Sequence, residues 1–112
     1  MRIIEKEVKQ SDLKNCEKIL EEEMVKAVVD TEKGIMAIDG EMHADLEQLL
    51  LEKGSKQDNL WGINLWFNES GEDFLEFDSM INIRPRQGNR SRSVENPETQ
   101  KRIREIVEKW IK

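Results

Sequence analysis

The chain has 112 residues, 37% hydrophobic and 38% charged, with a formal net charge of −6. That length fits one domain with one modest core, the apolar fraction excludes a disordered chain, and the excess charge belongs on a solvated surface. No apolar run approaches the roughly 20 residues needed to cross a bilayer, and the opening "MRIIEKEVKQ" lacks a signal-peptide core, so a cytoplasmic protein is expected. The single Cys16 excludes a disulfide scaffold and a thiolate zinc site, which leaves packing as the source of stability.

Residues 2–8, "RIIEKEV", suit an opening strand. Ser11 can cap a helix along which Leu13, Cys16, Leu20 and Met24 recur on one face. "VKAVVD" and "GIMAID" flank "TEKG" and read as paired strands at about 25–30 and 35–39, with Gly34 supplying the positive φ of the turn. In "EMHADLEQLLLEKG" the stripe Met42, Leu46, Leu49 and Leu50 predicts a helix that ends at Gly54, with Asp39 as its candidate cap.

"LWGINLWFN" then alternates with Trp61, Ile63, Leu65 and Phe67 inward, and "FLEFDSMINIR" with Leu75, Phe77, Ser79, Ile81 and Ile83 inward. Joined through "ESGED", they form a second hairpin that sets Asn64 opposite Asp78 and Trp66 opposite Glu76. Its outward face also carries Met80, Asn82 and Arg84. Asn96 caps the last helix, Pro97 opens it, and Ile103, Ile106, Val107, Trp110 and Ile111 form its apolar stripe. The expected architecture is a single α+β domain over residues 1–112: a mostly antiparallel sheet of two hairpins and an N-terminal strand, one face covered by three amphipathic helices.

Three regions are candidates for function. The first is "RPRQGNRSR", where Arg84, Arg86, Arg90 and Arg92 fall within nine positions free of acid. Pro85 ends the strand there, Gly88 and Asn89 tolerate positive φ, and a concavity of backbone N–H groups with arginine forks suits phosphate or carboxylate. Hydrogen bonds to charged groups contribute roughly 1.5–3 kcal/mol each, so two of them reach only millimolar affinity and a useful ligand must offer more. The competing structural reading pairs these arginines with nearby acids such as Glu76 and Asp78.

The second region, "DGEMHADLE", places His43 among alternating acids, but helical geometry puts only His43 and Glu47 on one face. Acids in a first helical turn answer the helix dipole, and one histidine with scattered carboxylates argues against zinc. A magnesium site drawn from Asp39, Glu76 and Asp78 stays open, since hard cations need only oxygen ligands. The third region is the outward sheet face, where Trp66 and Met80 invite a partner or a second copy of the chain. Cys16 belongs to a helical apolar face, and no nucleophile elbow, P-loop, dinucleotide fingerprint or other cofactor motif occurs.

"LWGINLW", "EFDSMINIRPRQGNRSR" and "GEMHADLEQLLLEKGSKQ" resemble a small prokaryotic family of about this length, known only as a domain of unknown function. The resemblance covers nearly the whole chain, implies a complete single-domain unit, and implies no activity, substrate or cofactor. The leading expectation is therefore a binding domain in which Arg84, Arg86, Asn89, Arg90 and Arg92 engage a small anionic ligand or an acidic partner. Two alternatives stand beside it: a small hydrolase or nuclease-like enzyme using His43, or Glu76 and Asp78, beside the arginines, and a homodimer through Trp66 and Met80. Nucleic acid is disfavoured, because one short arginine loop on an acidic chain makes few phosphate contacts, and no membrane partner is expected.

Overall fold

The computed structural model describes residues 1–13 and 23–112. Its strands are β1 (Arg2–Ile4), β2 (Met24–Asp30), β3 (Ile35–Ile38), β4 (Leu60–Trp66) and β5 (Leu75–Glu76). They form one sheet in the order β1-β3-β2-β4-β5, every neighbouring pair antiparallel. Helices α1 (Gln10–Leu13), α2 (His43–Glu52) and α3 (Pro97–Trp110) and four short 3-10 turns accompany the sheet, so the α+β class expected from periodicity is the class observed.

The helices do not all lie on the one face expected of them: α1 and α3 share one and α2 lies on the other. Val25, Ala27 and Val29 of β2 and Trp61, Ile63 and Leu65 of β4 bury against Ile103, Ile106 and Val107 of α3, and Leu13 of α1 joins that cluster. The intervening residues Val28 and Leu60, with Ala37 of β3, bury against Leu46 and Leu50 of α2. Side chains alternate across a strand, so these two clusters lie on opposite faces of the sheet. The central strand β2 is buried on both sides, which is why "VKAVVD" reads as a nearly continuous apolar run rather than as a one-sided alternation.

Several local expectations are corrected. Met24 opens β2 rather than closing the first helix, while Cys16 and Leu20 lie outside the described residues. Met42 caps α2 through its backbone with no side-chain bond, and Asp39 instead adopts a positive φ of 64° ahead of the helix. The hairpin turn behaves as read: Gly34 has φ +69°, and its N–H bonds to the Asp30 carbonyl at 2.9 Å. The buried Asp30 carboxylate accepts from the N–H groups of Glu32 and Lys33 and from the Ser55 hydroxyl, which ties the turn to the end of α2.

The second hairpin is shorter and shifted. Asn64 pairs with Glu76 and Leu65 with Leu75, two residues away from the expected partners. A slip of two keeps every side chain on its expected face, so period-2 alternation leaves it undetermined. Phe67 and Phe74 meet edge to face at 5.3 Å across the loop and hold it closed. Beyond Glu76 the expected strand gives way to short 3-10 turns at Met80–Asn82 and Pro85–Gln87. Asn82 turns inward and is fully buried: its Oδ1 accepts from Gly62 N at 2.8 Å and its Nδ2 donates to Gly62 O at 2.9 Å. One side-chain amide thus satisfies the edge of β4 where a backbone partner was expected. Ile81, expected on the other face, packs instead into the α2 cluster.

Candidate functional site

The α2 layer covers only part of its face of the sheet. Beyond His43, the even-numbered residues of the strands are open, and the segment after β5 folds over them to make a cleft of about 560 Å³. Its lining includes Lys26, His43, Asn64, Trp66, Asp78 and Arg92, with Glu76 on the floor. Register explains the floor: Lys26 of β2 pairs with Asn64 of β4, which pairs with Glu76 of β5, and Met24 pairs with Trp66 in the next row. Met42 and Met80, 60% and 65% exposed, stand at the rim.

Gly62 makes room for this arrangement. A Cβ there would lie 2.5 Å from Ser79 Cβ and 3.2 Å from His43 Cδ2, so the absent side chain is what lets both walls close on β4. His43 is buried and its Nε2 lies 2.8 Å from the Ile63 carbonyl. A carbonyl only accepts, so Nε2 carries the proton and neutral imidazole keeps its lone pair on Nδ1. Burial pushes the His43 pKa below its ordinary value, with Lys26 adding to the effect and the Ile63 hydrogen bond, Asp78 and the neighbouring Asn64 side chain opposing it.

Asn64 Nδ2 donates to Glu76 Oε1 at 2.9 Å and to the Asp78 carbonyl at 3.4 Å, and Trp66 Nε1 donates to the same Glu76 oxygen at 3.3 Å. These bonds fix the orientation of the Asn64 amide and leave its Oδ1 buried with no donor. Arg92 Nε meets Asp78 Oδ1 at 2.6 Å, the one salt bridge among the described residues.

The four arginines do not converge. Arg84 lies over the Trp61 ring, its Cζ 4.0 Å from the centroid, and its Nη1 donates to the Gln57 carbonyl. Its Nε and Nη2 are buried without partners, as is Glu47 Oε2. Burial lowers the Arg84 pKa and raises that of Glu47, each held back by the attraction of the other. Arg86 lines a separate groove with Arg84, Asp58 and Gln87, and Arg90 is exposed.

The loop does form a nest of backbone N–H groups, and its occupant is internal. The N–H groups of Arg90 and Ser91 both donate to Glu95 Oε2, at 2.7 and 2.8 Å, and hold its pKa below the ordinary carboxylate value. Asn89 is the loop's buried organiser. Its Nδ2 bonds to the carbonyls of Asn82, Ser91 and Ser93, and its Oδ1 accepts from Glu95 N.

His43, Glu76, Asp78, Arg92, Trp66 and Met80, drawn from three separate regions of the sequence, therefore meet in one cleft, while Arg84, Arg86, Asn89 and Arg90 lie outside it. Lys26 was missed by sequence reasoning, and Asn64 was placed on the outward face with no role assigned to it. The only signal for Lys26 is that it is the one cation within an apolar strand, and its partnership with Asn64 requires knowing that β2 and β4 are neighbours. Among the described residues no group of three or more His, Cys, Asp or Glu side chains could hold a metal ion, so the magnesium site proposed from Asp39, Glu76 and Asp78 is not assembled. No described helix is long and apolar enough to cross a membrane.

No curated protein and no solved structure matches the chain. A family model does: the one described as "Protein of unknown function (DUF5674)" matches residues 2–110, and the chain belongs to that family.

Proposed function

We propose that the protein is a small binding domain and that its ligand occupies the cleft between β4, β5, the start of α2 and Arg92. The observation that carries this reading is convergence. A buried neutral histidine, an amide oxygen with no donor among the described residues, charges of both signs, a half-buried Trp66 and an exposed Met rim line one concavity whose size is that of a small-molecule site. Arg92 brings the arginine segment into the wall, paired with Asp78, and Lys26 supplies the positive charge for an anionic group on the ligand. Arg86 and Arg90 act at most at long range. The test is shift mapping by NMR with a small fragment set of acetate, methylammonium and indole. Binding fragments are expected to move His43, Asn64 and Trp66; perturbations confined to Arg86 and Arg90 would move the site to the loop and overturn the cleft.

A hydrolytic reading has one observation in its favour: the neutral imidazole of His43 shares the cleft with Glu76 and Asp78, the arrangement a general base acting on water requires. A protein nucleophile is missing from it, since the Ser79 hydroxyl is buried and accepts from Ile81 N. Turnover of p-nitrophenyl acetate abolished by His43→Gln would support hydrolysis. The homodimer through Trp66 and Met80 competes for the same surface, and a dimer in sedimentation that Met80→Glu dissolves would favour it over a small ligand.

A further inference from the structure

The cleft floor carries opposite charges that are kept apart. Lys26, Asn64 and Glu76 form one cross-strand row on three adjacent strands, with the cation at one end and the carboxylate at the other. Strands about 4.8 Å apart place the ends of that row roughly 10 Å apart at the backbone, and both side chains rise from the same face. They form no ion pair with each other. Lys26 Nζ is held by the Glu41 carbonyl at 2.8 Å, which among the described residues leaves two of its three donors unused. Glu76 spends Oε1 on Asn64 and Trp66, and its Oε2 has no hydrogen bond among the described residues. Between them stands Asn64, 7% exposed, whose Oδ1 has no hydrogen-bond donor among the described residues. Arg92 and Asp78 neutralise each other at the rim.

Resting on the cleft being the ligand site, we propose that its ligand is a small zwitterion, an α-amino acid with an apolar side chain. The carboxylate faces Lys26, the ammonium faces Glu76 Oε2, and the side chain lies among Trp66, Met42 and Met80. Charge decides between ligand classes. Two unit charges in contact interact several times more strongly at the effective dielectric of a protein surface than in bulk water. A simple anion gains this from Lys26 and loses a comparable amount to Glu76, and a simple cation does the reverse. Only a ligand carrying both charges gains at both ends. Methionine and tryptophan side chains around the rim suit an apolar group of variable shape, since thioether chains adapt to what they cover.

The experiment titrates the full chain with L-leucine, N-acetyl-L-leucine, L-leucinamide and N-acetyl-L-leucinamide, following the Trp66 indole N–H resonance, which a Trp66→Phe variant identifies. L-leucine is expected to bind at least tenfold more tightly than either singly charged compound. Lys26→Met should erase the preference for the free carboxylate and Glu76→Gln the preference for the free ammonium, with the remaining spectrum of each variant reporting an intact fold. Equal or tighter binding of a blocked compound at Trp66 would overturn the zwitterion while leaving the cleft as the site. If no leucine compound moves Trp66 but the fragment set does, the zwitterion again fails and the cleft stands. If the fragments map elsewhere, both fail.

Discussion

A methyl group at Gly62 would press on Ser79 and His43 at once, because the segment after β5 crosses β4 at the one position without a side chain. Overpacking of this kind costs roughly 1–3 kcal/mol, so Gly62→Ala should lower the urea midpoint by a corresponding amount and shift the His43 ring resonances. The chain's single histidine makes a second residue-scale prediction simple to read. Burial lowers the native pKa of His43 below its ordinary 6.5. The unfolded chain therefore binds more protons in the window below 6.5, and stability falls with acidification from 6.5 toward the native value. The NMR titration of the ring should have its midpoint below 6.5, and His43→Gln should remove this component of the pH dependence. Glu47 has the opposite sign. Its native pKa is raised above 4.5 by burial, so its contribution is full below 4.5 and is lost as pH rises through the native value. In Glu47→Gln that loss should vanish from the urea midpoints.

At the scale of elements, the arginine segment is shaped by its asparagines. Asn82 replaces a strand partner for Gly62, and Asn89 gathers the carbonyls of residues 82, 91 and 93 while receiving Glu95 N. Leaving a buried group without its partner costs about 1–3 kcal/mol, so Asn89→Ala, which orphans several, should lose about 3 kcal/mol in urea unfolding. Arg90→Ala, at an exposed residue with no ion pair among the described residues, should stay within about 0.5 kcal/mol of the parent protein. This contrast explains what could be read in advance. Alternation in "LWGINLWFN" gives the correct face of β4, and Gly34, Gly54, Asn96 and Pro97 mark their turns and helix ends through local backbone chemistry. The register of β5 is not legible, because a shift of two preserves the pattern, and neither is the inward turn of Asn82, because the bond to Gly62 spans twenty residues. Six of the cleft's side chains were visible singly. Their meeting depends on strand order and on an empty space above Gly62, which are properties of the assembled sheet.

For the whole molecule, one sheet serves two cores. Leu46 and Leu50 of α2 and Ile103 and Ile106 of α3 never touch the same face, yet both groups rest on β2 and β4, whose alternate residues feed the two clusters. Neither layer can leave without exposing the back of strands that the other needs: Val28 and Leu60 lie under α2, with Val29 and Ile63 under α3. A chain of this size ordinarily unfolds as one unit, and this sharing gives the physical reason it should do so here. Leu46→Ala and Ile106→Ala, each truncating a fully buried residue, should cost about 2–5 kcal/mol. Each should move a single transition in which far-ultraviolet circular dichroism and tryptophan fluorescence coincide, with the denaturant slope unchanged. If the α2 substitution instead produced an early transition that left the fluorescence of Trp61 and Trp110 in place, α2 and the cleft it helps to form would be a separately folding layer. The ligand site would then open by local unfolding of that layer rather than stand ready on a rigid sheet.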